Sequence, residues 1–186
     1  MKVGVLGGSF NPVHYGHLEI CEKALKYFDE VWLMPCYNHQ FDKDNISFDD
    51  RYRMIELILK DFNKRIKVSD FEKRKNKESA TIDTMRKLKK EYPNYNFYWI
   101  IGSDILDEIH NWKDYKDLKK EVNFLVFERE EYEPRDLPKN FELKKEDISF
   151  KISSSGVRKK IREGKELDKY MPKEVADYIE DNKLYI

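Results

Sequence analysis

The chain has little glycine, almost no cysteine and no surplus of charge of either sign. Two thiols, Cys21 and Cys36, lack the paired spacing of a zinc or redox motif. A disulfide framework and a cysteine metal site are thereby excluded, and both read as buried free thiols. Lysine plus arginine equals aspartate plus glutamate at 36 each, so no net charge draws the chain to nucleic acid or to a membrane surface. No apolar run approaches the ~20 residues of a transmembrane helix. The N-terminus runs directly into a strand pattern rather than a signal peptide. Together these absences point to a cytoplasmic, reducing setting.

What glycine there is lies in one place. Of seven glycines, four fall within the first sixteen residues, at Gly4, Gly7, Gly8 and Gly16. Lys2-Val3-Gly4-Val5-Leu6 reads as a buried first strand. Leu18, Cys21, Leu25 and Phe28 fall on one face of a following helix. Between them lies Gly7-Gly8-Ser9-Phe10-Asn11-Pro12-Val13-His14-Tyr15-Gly16-His17. A glycine-rich turn from strand to helix is where an α/β protein places a phosphate. The spacing matches neither the G-x-G-x-x-G dinucleotide fingerprint nor a P-loop, which needs Gly-Lys-Ser/Thr. His14 and His17 lie three residues apart at the helix start, where imidazoles and free N–H groups can bind a polyphosphate and stabilise charge developing on phosphorus. No cysteine or carboxylate completes a zinc set around them.

Further along, strands and helices alternate. Glu30–Pro35 reads as a second strand, followed by an irregular loop from Cys36 to Ile46 that contains His39 and Lys43. Ser47 caps an acidic helix start, and that helix runs to about Phe62 with Phe48, Tyr52, Ile55, Leu59 and Phe62 inward. Ile66–Val68 is a weak strand, Phe71–Glu78 a charged connection, and Ile82–Tyr92 a helix. Asn96–Ile101 is the central strand, aromatic and β-branched, ending in Gly102-Ser103-Asp104. Asn123–Phe127 is another buried strand. Glu128–Lys145, charged and carrying Pro134 and Pro138, reads as a surface connection, and Ile148–Ile152 as a last short strand. Helices from Ser154 to Glu163 and from Pro172 to Asp181 close the chain, with Gly164 as the break. The expectation is one α/β domain over residues 1–186, a doubly wound parallel sheet with a C-terminal helical part from about 153 packed on it.

A second anion-binding candidate opens the C-terminal part. Ser153, Ser154 and Ser155 begin a helix, so hydroxyls and unpaired N–H groups converge there, and Arg158 follows one turn on with a guanidinium fork. Lys159, Lys160 and Arg162 read as a solvated face, and His39 and His110 as loop residues without a direct role.

These two stretches carry a resemblance. Gly7 to His17 resembles the first signature of the nucleotidyltransferase superfamily, H-x-G-H after strand one. Ile152-Ser153-Ser154-Ser155-Gly156-Val157-Arg158 resembles its second signature, I-S-S-T-x-x-R. Three intermediate stretches narrow it: Ser79-Ala80-Thr81-Ile82-Asp83-Thr84, Ile100-Ile101-Gly102-Ser103-Asp104 and Asn111-Trp112-Lys113. In order and spacing they resemble the bacterial nicotinate mononucleotide adenylyltransferases, as does the C-terminal Val175–Tyr185. The resemblance implies a Rossmann-like nucleotidyltransferase fold and transfer of AMP from ATP to nicotinate mononucleotide, releasing pyrophosphate, in NAD biosynthesis.

By the same resemblance, His14 would contact the triphosphate and His17 would stabilise the α-phosphate in the transition state. Arg158 and Ser153, Ser154 and Ser155 would hold the β- and γ-phosphates. Gly7, Gly8, Ser9 and Phe10, with Gly102 and Asp104, would line the ATP site, and Lys43 would reach its phosphates. Thr81 would lie near the acceptor ring and Trp112 would stack on it. Magnesium would ride on the triphosphate. The partners implied are these small-molecule substrates, with no nucleic acid and no membrane, and a homo-oligomer stays open. Four departures stand out: Ala80 for tyrosine, Asn38-His39-Gln40-Phe41-Asp42-Lys43 for a P-P-H-K loop, Ser155 for threonine and Asn11 for aspartate. The first two leave the acceptor open between acid, amide or both. Competing readings are a phosphopantetheine adenylyltransferase or cytidylyltransferase, and a nucleotide-binding regulator without turnover.

Overall fold

A computed structural model of the protein describes residues 1–37, 46–75, 80–128, 137–149 and 152–186, with Lys75 in its backbone alone. Its framework is a parallel sheet of β1 (Lys2–Gly8), β2 (Glu30–Pro35), β3 (Ile66–Val68), β4 (Asn96–Gly102), β5 (Asn123–Phe127) and β6 (Phe141–Lys144). The strand order is β3-β2-β1-β4-β5-β6, the doubly wound order with its reversal between β1 and β4. Loops at the carboxyl ends of those two strands border a crevice, because their connections leave in opposite directions.

Period-two alternation divides the sheet between two cores. Leu33, Ile100, Leu125 and Phe127 face one layer, which holds α1 (Tyr15–Ala24), α2 (Phe48–Leu59), α6 (Ser154–Arg162) and α7 (Lys173–Asp181). Val3, Val5, Phe97, Trp99, Phe124 and Val126 face the other, which holds α3 (Phe71–Lys75), α4 (Thr81–Glu91) and α5 (Tyr115–Glu121). Strands apolar on both faces are what a covered parallel sheet requires. The C-terminal helices share the first core: Val157 of α6 and Val175 of α7 are fully buried in it.

Several elements differ from the sequence expectation. The last strand is Phe141–Lys144, inside the stretch read as a surface connection, whereas Ile148, Ser149 and Ile152 carry no strand. The F-E-L-K alternation is enough because Phe141 stacks on Phe124 with ring centroids 4.3 Å apart. The charged connection after β3 contains α3, anchored by Phe71, which is buried beside an equally buried Glu72. The short helix α5 and the 3₁₀ turns Ser103–Asp107 and Ile109–Asn111 were not anticipated. The inward face of α2 is Phe48, Arg51, Met54, Ile55 and Ile58, while Tyr52 and Leu59, and Phe62 beyond the helix end, are only half-buried. Pro172 stands at the N-cap of α7 rather than in its first turn. Gly164 does end α6, at φ +61°, with the Lys165 N–H returning 3.0 Å to the Lys160 carbonyl as in a Schellman cap.

Candidate active site

None of Gly4, Gly7, Gly8 and Gly16 has positive φ; the left-handed position is Phe10, at φ 47°. Gly7 is required instead by packing, since a Cβ there would lie 2.1 Å from the Trp99 ring. So the central strand's tryptophan sets the residue type at the end of β1. The Phe10 ring is buried and meets His17 edge-on, with centroids 4.9 Å apart. It therefore supports a histidine from inside the core.

His14 is the N-cap of α1, with extended backbone at φ −151° and ψ 168°. Its N–H donates to His17 Nδ1 at 3.2 Å, half of a capping box in which histidine takes the usual glutamate's place. That bond makes Nδ1 an acceptor, so in the neutral ring the proton sits on Nε2, as a donor. The two rings lie 3.9 Å apart between centroids. Burial pushes His14 down to about 4, and burial together with the neighbouring His14 holds His17 well below the usual imidazole range. Both rings are therefore neutral at pH 7. No acidic residue occupies the first turn of α1, so its positive end is left for an anion.

The second signature is bonded onto the first. Ser154 Oγ donates to the Pro12 carbonyl at 2.9 Å, and Arg158 donates to the Asn11 carbonyl at 2.7 Å. A further bond, 2.8 Å from the Tyr15 N–H to the Tyr170 carbonyl, ties the start of α1 to the chain beyond α6. Ser153 caps α6 by accepting the Gly156 N–H at 3.2 Å, and its hydroxyl pairs with that of Ser155 at 2.8 Å. The first turn of α6 again holds no acid. Arg158 Nε is buried and meets no hydrogen-bond partner among the described residues. An unmet buried donor costs about 1–3 kcal/mol, which a phosphate oxygen would recover. Thus two helix starts and a guanidinium converge on one loop.

Gly102 ends β4, and Asp104 is exposed in the 3₁₀ turn behind it. Leu6 pairs with Ile100, so Gly8 and Gly102 stand level, two residues on along adjacent strands. Thr81 and Trp112 line one pocket of about 160 Å³ with Ala80, Ile82, Lys113 and Leu118. That pocket opens on the N-terminus of α4, where Ala80 is the N-cap and supplies no side-chain cap. Lys113, its one cationic lining residue, pairs with Asp83 at 2.8 Å. Lys43 lies outside the described residues. Among the described residues no three His, Cys, Asp or Glu side chains group to hold a metal.

Sequence reasoning passed over Arg51, 1% exposed, and Glu72, 4% exposed. A signal was available for the first. Arg51 stands where the helical period of Met54, Ile55 and Ile58 demands an apolar side chain, and a charge there needs buried partners. Glu72 offered none, because its helix is only five residues long.

The cytidylyltransferase-like family matches residues 5–160. A relative from Opitutus terrae, described as "Probable nicotinate-nucleotide adenylyltransferase", is 33% identical over all of this chain and 98% of its own length. The Plasmodium falciparum nicotinic acid mononucleotide adenylyltransferase complexed with NaAD superposes with a TM-score of 0.84 at 28% identity, covering 99% of this chain and 97% of that one. The same enzyme complexed with APC gives a TM-score of 0.80 at 26% identity, over 99% and 96%. The chain belongs to the cytidylyltransferase-like family and, by its full-length relatives, to the nicotinate-nucleotide adenylyltransferases within it.

Proposed function

We propose that this family member transfers AMP from ATP to nicotinate mononucleotide, giving the deamido dinucleotide and pyrophosphate. The observation that carries the reading is the bonding of Ser154 and Arg158 onto the Asn11 and Pro12 carbonyls, beside His14 and His17. It brings the anion-binding groups of both signatures to one loop. An oxygen of the acceptor's phosphate attacks the α-phosphorus in line. The new P–O bond forms as the bond from that phosphorus to the bridging oxygen of the β-phosphate breaks, and pyrophosphate leaves. Such a displacement needs positioning and charge neutralisation more than a base.

His17, through Nε2–H, stabilises the α-phosphate, and His14 contacts the triphosphate. Arg158 and Ser153, Ser154 and Ser155 hold the β- and γ-phosphates, with Gly7, Gly8, Ser9, Phe10, Gly102 and Asp104 bordering the nucleotide and Lys43 reaching its phosphates. Magnesium, carried by the phosphates, neutralises charge on them when bound. Residues 1–186 act as one domain, a reading supported by the burial of α6 and α7 side chains in the sheet's first core.

For the acceptor, Trp112 stacks on the ring and Thr81 lies at its substituent. The uncapped start of α4 and the Lys113 ammonium favour a carboxylate over a neutral amide, a preference that Asp83, in the first turn of α4 and paired with Lys113, reduces. The reaction is expected in the cytoplasm. Incubation with ATP, magnesium and either nicotinate or nicotinamide mononucleotide, followed by product analysis, tests it. Deamido dinucleotide in excess of the amide product is expected. No dinucleotide from either acceptor, with ATP still bound, would move the reading to another phosphate acceptor or to a regulator.

A further inference from the structure

Between the phosphate loop and the acceptor pocket runs a bridge of buried polar groups that the reaction as described does not use. Arg51 of α2 donates to the Ser9 carbonyl and to the Cys36 carbonyl, each at 2.8 Å, and its Nε donates to the Ile46 carbonyl at 3.3 Å. Glu72 of α3 accepts the Tyr37 N–H at 3.1 Å on one oxygen and the Thr84 hydroxyl at 2.9 Å on the other. The Cys36 carbonyl and the Tyr37 N–H belong to one peptide group. That group, just past the end of β2, is clamped with its oxygen toward the cation and its N–H toward the anion. Cys36 N–H in turn donates to the Gly8 carbonyl at 2.9 Å.

The bridge has a definite start and finish. Ser9 is in the first signature, and Thr84 is three residues along α4 from Thr81, which lines the acceptor pocket. A buried Arg and Glu are costly unless every bond is made. The bonds these two side chains make go to backbone groups and to Thr84, which points to a geometric task. We propose that Arg51 and Glu72 are positioning residues, which through the Cys36–Tyr37 peptide group fix the separation between the triphosphate loop and the acceptor pocket. The proposal rests on the adenylyl-transfer reading above. In-line attack requires reacting atoms about 3–3.5 Å apart, and a small misplacement from a remote residue can cost about a hundredfold in rate.

Steady-state kinetics of the full chain, with each variant's fold checked by circular dichroism and melting, test this. Thr84→Val removes the donor to Glu72 with little change of shape, and should lower kcat about tenfold or more while each substrate's KM stays within about threefold. Thr84→Ser restores the hydroxyl and should restore kcat. Arg51→Lys keeps the charge but loses the fork, and should show the same split between kcat and KM. A folded Thr84→Val enzyme with wild-type kcat overturns the proposal. So does a loss that serine fails to rescue, or one that appears as an equal rise in both KM values. If the wild-type protein makes no dinucleotide, the adenylyl-transfer reading fails first and takes the proposal with it.

Discussion

The two ends of the site are built on opposite plans. At the proposed phosphate end the groups are fastened by long-range bonds: His14 is 5% exposed, His17 is half-buried, and the half-buried Ser154 and Arg158 reach back more than 140 residues to the carbonyls of Pro12 and Asn11. At the acceptor end, Thr81 and Trp112 are half-exposed around an open pocket, and a surface ion pair, Lys113 with Asp83, stands at its edge. The difference follows from what each end has to do. A developing charge on phosphorus is stabilised by dipoles that need no reorganisation, which requires rigid, desolvated groups. A flat ring is selected by contact area and one substituent, which a half-open pocket supplies.

The sharpest way to break this contrast is His17→Ala. It should lower kcat by about 10²–10³-fold with ATP binding nearly unchanged, measured by single-turnover rates and ATP titration. Unchanged turnover would show the rigid end to be a binding device only.

Next comes pH. His14 sits at about 4 in the folded chain against 6.5 in an exposed imidazole, so between those values the unfolded chain binds more protons. Its stabilising contribution is therefore complete above about 6.5 and is lost as pH falls toward 4, a span of about 3 kcal/mol. Urea unfolding from pH 7 to 4.5 should show the decline, and His14→Gln should make it shallower, leaving the share of His17. Phosphate groups favour the imidazolium, so ATP binding should take up protons near pH 6 in a calorimeter.

Smaller effects belong to the open end. Trp112→Ala should raise the acceptor KM about five- to tenfold while the KM for ATP holds, and equal rises in both would erase the distinction between the two ends. Lys113→Met should shift preference from acid toward amide about two- to fivefold, since an exposed ammonium contributes little. Competition between the two mononucleotides in one reaction reads that ratio.

Much of the phosphate end could be read in the chain. Strand, glycine-rich turn and helix with His14 and His17 is a local pattern, and Ser153 at an N-cap with Arg158 one turn on is another. Residues on neighbouring turns of one element meet whatever the rest of the fold does. The pocket was legible only through resemblance, because Thr81 and Trp112 come from α4 and from the end of a 3₁₀ turn that no periodicity announced. Arg51 was legible only as a charge on an apolar helix face and Glu72 not at all, because most of what they hold is backbone, and a peptide group leaves no mark on residue type.

The sequence by itself determined the alternation of strands and helices, the doubly wound class and the two helix starts proposed to take the triphosphate, since these follow from period and capping over a few residues. Only the tertiary structure decided that Trp99 dictates a glycine at position 7. The same holds for Phe141–Lys144 as the sixth strand and for the clamping of the Cys36–Tyr37 peptide group between two buried charges. Each of those depends on a partner brought close by the closing of the sheet and its layers, and neither burial nor a hydrogen bond to backbone has a sequence period to betray it.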